Sequence, residues 1–238
     1  MIMTEIEKSA GWFRRSHLFY LLVAIGLYLV KMVLYFAIAD IPVEVHQFHM
    51  AIDDMIPFCK YFYPFYFAYY FVPEILLWMI SFRDKRKYWT LVSSYVAANI
   101  ICCVCFLIYQ VQMIRPAGYP MDLSLGDVRS VSDLFDYFIS FQYNADSTAL
   151  NCFPSLHCTM GCLEVLLGLK LFGWEKRIPV AMSVVSVVMG VGCILSTMFI
   201  KQHYAIDALA GVVLMIAVYI ITDAVFRKVL KAKNGTEG

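Results

Sequence analysis

Hydrophobic and polar positions along this chain fall into long blocks rather than the short periods of a surface helix or strand. Apolar runs near 17–39, 60–81, 89–110, 153–172, 178–199 and 204–226 are separated by short polar stretches. About 20 apolar residues in a helix span the roughly 30 Å hydrocarbon core of a bilayer. Lipid offers the backbone no hydrogen-bond partners, so each such run must pair its N–H and C=O groups internally, as a helix does. The pattern therefore predicts an all-α polytopic membrane protein, a six-transmembrane-helix bundle forming a single domain over 1–238. Arg14 and Arg15 before the first run, and Ala37-Ile38-Ala39 at its end, mimic a signal peptide. The run is much longer than the about 7–15 residues of a signal core, so a membrane anchor is expected. Between the third and fourth runs, Asp133 to Ile139 sets aromatic and aliphatic residues at helical spacing beside acids, which predicts a short interfacial helix.

Composition supports this reading. The chain is 61% hydrophobic and 16% charged, where a soluble domain has about 45–50% apolar and about 25% charged residues. Mean hydropathy is +0.70. The net charge of +1 leaves no basic surplus for a nucleic-acid partner. Positive charge is also distributed unevenly. The ends and loops at 1–16, 82–88, 170–177 and 227–238 hold fourteen of the nineteen basic residues. By the positive-inside rule both termini are cytoplasmic, and the acidic 40–60 and 115–152 loops face outward in the cell membrane. The Asn234-Gly235-Thr236 sequon then lies on the side where glycosylation does not reach it. Most of the eight cysteines sit in apolar runs, where a thiol behaves as a small hydrophobe. Cys152 and Cys158 leave a disulfide open, and no Cys/His metal spacing occurs.

Three separated polar groups share one side of the predicted bundle. Arg115-Pro116 ends the third span, Pro154-Ser155-Leu156-His157 opens the fourth, and Ser196 through His203 to Asp207 joins the fifth to the sixth. Asn151 or Ser155 can cap the fourth helix, and Pro154 suits its first turn. A helix N-terminus favours an anion such as phosphate. His203 and Asp207 are i,i+4, about 6 Å apart along a helix axis, so the acid can hold one imidazole nitrogen protonated and leave the other free to attack. Arg115 supplies a planar fork for phosphate oxygens. Nucleophile, orienter, second histidine as acid and cationic clamp are the parts of phosphoryl transfer, with no metal or other cofactor demanded. Taken singly each group has a plainer reading, as a capped helix start, a polar i,i+4 pair or a snorkelling anchor. Their convergence on one face favours the chemical one.

In order and spacing these pieces resemble the three motifs of the type 2 phosphatidic acid phosphatase (lipid phosphate phosphatase) superfamily, over 108–211. Asn151-Cys152-Phe153, Gln202-His203-Tyr204 and, more distantly, Asp53 to Phe58 resemble its inositol phosphoceramide synthase-like branch. The resemblance implies a phosphohistidine on His203, oriented by Asp207, with His157 protonating the leaving group and Arg115 and Ser155 binding phosphoryl oxygens. It implies a phosphorylated lipid as substrate, amid membrane lipids, with the site at the outer face. The chain departs from the superfamily pattern at Ile108, where a Lys is expected, and at Thr197, where an Arg is expected. Lys201, at the same mouth, is the candidate replacement among the phosphate-binding groups, and Lys201→Met should then cut activity heavily. The expected function is cleavage of a lipid-linked phosphate ester. The rivals are transfer of the phospho-headgroup to an acceptor alcohol and non-catalytic lipid binding or transport, the last supported by Lys31, Glu74 and Glu164 inside spans. Glu164, two turns below His157, can face the site or pair with Lys31 or another polar neighbour. The aromatic cluster from Tyr61 to Phe71 reads as an interfacial belt and core packing, and Gly190 as a close helix contact.

Overall fold

The computed structural model describes residues 2–39, 41, 43–81, 85–172 and 180–235. Nine α-helices follow in order among these residues, α1 (Ile2–Ala39), α2 (Ala51–Met55), α3 (Tyr63–Ala68), α4 (Val72–Ser81), α5 (Lys85–Ile108), α6 (Val131–Ala145), α7 (Leu156–Phe172), α8 (Val180–Phe199) and α9 (Ala205–Gly235). Two-residue strands β1 (Val45–His46) and β2 (Gln110–Val111) pair in parallel. The fold is thus almost wholly helical.

Four helical stretches are long and apolar enough to cross a membrane, Leu18–Ile38, Arg86–Ile108, Val180–Phe199 and Ala205–Val229. The expectation of six is not met in that form. Leu156–Leu169 within α7 is apolar but shorter. The 60–81 run, expected as one span, is a 3-10 turn at Lys60–Phe62 followed by α3 and α4 with a break at Tyr69–Phe71. The reason is local. Pro73 has no N–H to bond the carbonyl of Tyr69, four residues back, so a helix cannot run unbroken from α3 into α4. The chain turns instead through short bonds, Tyr69 N to Tyr66 O at 3.3 Å and Tyr70 N to Phe67 O at 3.1 Å. α4 has 10 residues, about 15 Å or half the hydrocarbon thickness.

α7 is the hub. Every residue from Leu156 to Glu164 is buried, and Met160, Leu163 and Leu167 reach complete burial in the main hydrophobic cluster with Leu77, Tyr95, Phe106 and Met215. A helix apolar all round belongs inside a bundle, and α4, α5, α8 and α9 surround this one. Small residues allow the closest approach. A Cβ at Gly161 would stand 2.8 Å from the Gly190 carbonyl, and one at Gly190 would collide with the Gly161 carbonyl. By contrast α1 and α9 present Leu22, Val33, Val213, Ile216 and Ile220 outward, as lipid-facing helices do.

The loops at the motif-bearing end are tied together. β1–β2 holds 45–46 against 110–111, while Val111 N and Met113 N donate to Leu150 O and Ala149 O at 3.2 Å. α6 runs over Val131–Ala145, longer than the predicted helix, because Ser130 and Asp133 form a capping box at its start.

Candidate active site

Ser155 caps α7. Its Oγ accepts from Cys158 N at 3.2 Å, so of the two candidate caps it is Ser155 that acts, and its own N–H donates to Asp207 O at 3.0 Å. Asn151 instead donates from Nδ2 to Tyr35 O at 3.3 Å. One residue into the helix, His157 is 5% exposed and lies against aromatic rings. Tyr66 stacks on it at 4.1 Å and Tyr69 leans on it at 3.9 Å between ring centres. Its Nε2 is buried with no hydrogen-bond partner. The broken helix at Tyr69–Phe71 brings these rings to the site, and irregular backbone at membrane depth is tolerated where protein buries it.

His203 comes from the turn between α8 and α9. Gln202 N and His203 N both donate to Thr197 O, at 2.8 and 3.1 Å, and Lys201 takes a left-handed φ of +50° that more often falls to glycine. His203 is 5% exposed, and its ring centre is 5.7 Å from that of His157. Its Nδ1 lies 3.0 Å from Cys152 O. A carbonyl only accepts, so Nδ1 carries the proton and Nε2 keeps its lone pair. Burial pushes the imidazole down to about 4, which leaves it neutral at neutral pH. Asp207, fully buried, has Oδ2 4.0 Å from that Nδ1, beyond hydrogen-bonding reach. That oxygen accepts from Tyr204 N at 2.9 Å, capping α9, and Oδ1 has no partner.

The two candidate phosphate-binding cations are engaged with loops. Arg115 donates from Nη1 to Tyr143 O at 2.7 Å and from Nη2 to Asp146 O at 2.5 Å and Asp146 Oδ2 at 3.2 Å, lying over the Tyr143 ring. Burial raises the Asp146 carboxyl to about 6 even against the pull of Arg115. Lys201 Nζ donates to Asp53 O at 2.9 Å and Ile56 O at 2.5 Å. Arg115, Lys201, His49, Asp53, Asp54 and Tyr204 border one cavity of about 280 Å³. The structure thus gathers His157, His203, Asp207 and Ser155 in one buried cluster, while Arg115 and Lys201 line a separate cavity that Tyr204, the neighbour of His203, also borders.

Several groups at this site were not picked out from the sequence as site residues. Asp53 Oδ1 accepts from Ala205 N at 2.8 Å, a contact across 152 positions that seats the loop before α3 on the start of α9. The Cys152 carbonyl and the Tyr66 and Tyr69 rings have no signature of their own, since any residue supplies a carbonyl and aromatic residues abound. Glu74 pairs with Lys31 at 2.7 Å and accepts from Tyr95 at 2.6 Å, whereas Glu164 Oε1 has no partner. The cysteines are free, and Cys152 Sγ donates to Ala149 O at 3.1 Å. Among the described residues, Cys152, His203 and Asp207 bring ligand atoms within 4.8 Å of one another and are the residues that could hold a metal ion. A soft thiol beside imidazole and carboxylate would suit zinc best.

A buried pair of histidines thus lies beside an acid at the head of α9. The profile of the PAP2 superfamily matches residues 27–221, and the chain belongs to that superfamily, of type 2 phosphatidic acid phosphatases. Its members are phosphatase-type enzymes, and the match contains Arg115-Pro116, Pro154 to His157 and Ser196 to Asp207. No curated protein and no solved structure matches the chain.

Proposed function

We propose that this protein cleaves a lipid-linked phosphate ester at the non-cytoplasmic face through a phosphohistidine on His203. The observation carrying this reading is the bond from Nδ1 to the Cys152 carbonyl, which leaves Nε2 unprotonated on a ring whose centre is 5.7 Å from that of His157. In the first step the Nε2 lone pair attacks phosphorus, and the P–O bond to the alcohol breaks. His157 gives its Nε2 proton to the departing oxygen. Rings 5.7 Å apart can both reach one phosphoryl group. Asp207 anchors the start of α9 and offers Oδ1 to the imidazolium that develops. The α7 N-terminus, capped by Ser155, favours the phosphoryl charge, and Arg115 and Lys201 supply cations once they shift from their loop carbonyls.

Resolution by an acceptor alcohol, as in the inositol phosphoceramide synthase-like branch, is the second reading. The near-complete burial of both histidines favours it, because water is scarce there. The deciding experiment measures phosphate and headgroup release by detergent-purified protein from phosphatidate, a polyprenyl pyrophosphate, phosphatidylglycerophosphate and phosphatidylinositol. EDTA is present throughout, and His203→Ala runs alongside. Release that resists EDTA and vanishes in the variant supports a metal-free phosphohistidine. Equal rates in both proteins overturn it. Release that needs added alcohol establishes transfer.

A further inference from the structure

Beside His157 lies a small cavity that also reaches Lys31. α1 and the Tyr69–Phe71 break enclose about 20 Å³ lined by Lys31, Tyr35, Tyr69, Tyr70 and His157, walled by Met32 and Phe36. That is room for about one water-sized group. Lys31 is 3% exposed. Glu74 accepts from it at 2.7 Å, and the ammonium sits 4.4 Å above the Tyr69 ring centre. An ammonium has three N–H donors, so donors remain for the cavity. His157 Nε2, on the other side, is a buried nitrogen without a partner.

Electrostatics limits what can complete both groups. An anion is disfavoured because Glu74 already neutralises Lys31 and Glu164 lies within electrostatic reach of both. A second cation would meet Lys31. A neutral oxygen that accepts from both Lys31 and His157 Nε2–H satisfies both, and an ester or alcohol oxygen is of that kind. Phe36, 49% exposed, lies between the cavity and the outside of the bundle, so the carbon chain bearing that oxygen can extend into lipid.

We infer that this cavity is the subsite for the bridging alcohol oxygen of the scissile ester, and that Lys31 is a catalytic residue on the leaving-group side. The inference rests on the function proposed above. As the bond between phosphorus and His203 Nε2 forms, the P–O bond breaks and its electron pair stays on oxygen. That oxygen takes the proton from His157 Nε2 while Lys31 donates a hydrogen bond to it, stabilising the charge as it develops.

The test uses short-chain phosphatidate and phosphatidylinositol, each as the natural ester and as the analogue with sulfur bridging phosphorus to the glycerol. A thiolate leaves without help from an acid, so sulfur removes the need for Lys31 while keeping the substrate's shape. Lys31→Met alone would strand the Glu74 carboxylate, so the test protein is the double variant Lys31→Met/Glu74→Gln, with Glu74→Gln as control. The expected result is a loss of about a hundredfold in kcat/KM for the oxygen ester with the sulfur ester within about threefold of wild type, turnover of the latter proving the fold intact. Glu74→Gln should keep the wild-type ratio between the two esters. Equal losses on both esters in the double variant, or the same ratio change in Glu74→Gln, would overturn the role of Lys31. If wild type cleaves neither form of either lipid, the proposed function fails, and this inference with it.

Discussion

Burial holds the His203 imidazole down to about 4, against about 6.5 in an unfolded chain. Two consequences follow. The nucleophile stays neutral through mildly acid conditions, so the acid limb of the pH–rate profile should lie near pH 4–5. An acid limb at 6.5 would count against His203 as the attacking group. For stability, the unfolded chain binds more protons at this site between pH 6.5 and 4, so its contribution is full above 6.5 and fades as pH falls through that window. Asp146, raised to about 6, acts with the opposite sign between its unfolded value and 6, since there the native state holds the extra proton. Subtracting the two proteins removes the Asp146 effect. His203→Gln should therefore lose less melting temperature than wild type between pH 6.5 and 4, and parallel curves would refute the assignment. Asp53→Ala removes the acceptor for Ala205 N. A cost of about 1 kcal/mol is expected at the head of α9, with a larger fall in activity, because the same turn carries His203 and Asp207.

At the level of elements, α7 places the site, and two glycines let its neighbours come close enough. A Cβ at Gly211 of α9 would collide with the carbonyl of Ser155 and stand 3.1 Å from Thr159 N. Gly211→Ala should therefore lower turnover by displacing the α7 start, more than it lowers melting temperature. Gly190→Leu should do the reverse in emphasis, costing several degrees in detergent by forcing α7 and α8 apart. Comparing kcat with melting temperature for the pair separates the two effects. The broken α3–α4 segment shows why hydropathy alone misjudged 60–81. Its composition is that of a span, but Pro73 stops the helix, and α4 alone is too short to cross.

For the whole molecule, the distribution of Lys and Arg predicts that both termini share the cytoplasmic side. Protease added to sealed cells should spare tags at either end and remove both after permeabilisation. Digestion of one tag alone would require an odd number of crossings. Lys31 and Glu74 link α1 to α4 inside the bundle, and breaking a buried pair from one side costs about 3–5 kcal/mol. Lys31→Met should accordingly lower thermal stability more than Lys31→Met/Glu74→Gln does.

The sequence by itself determined the helical membrane class and the residues at the motif-bearing end. Run length against bilayer thickness settles the first, and three motifs opening or closing apolar runs settle the second. A cap at Asn151 or Ser155 and a short helix over Asp133–Ile139 were readable too, because capping and helical spacing are local, but the choice of Ser155 and the Ser130 start came from the structure. Only the tertiary structure decided which partners those residues meet. Spacing made Asp207 the natural orienter of His203, yet the Nδ1 proton goes to the carbonyl of Cys152, which packing of two loops brings within 3.0 Å. Lys201 looked like a free cation, but its ammonium is held by carbonyls of the 53–56 loop. Lys31, which the sequence offered as a partner for Glu164, pairs with Glu74 and lies with His157 on one cavity. Such contacts join residues more than 40 positions apart. Helix periodicity reports neighbours within a turn or two, whereas pairings between helices depend on how the faces dock.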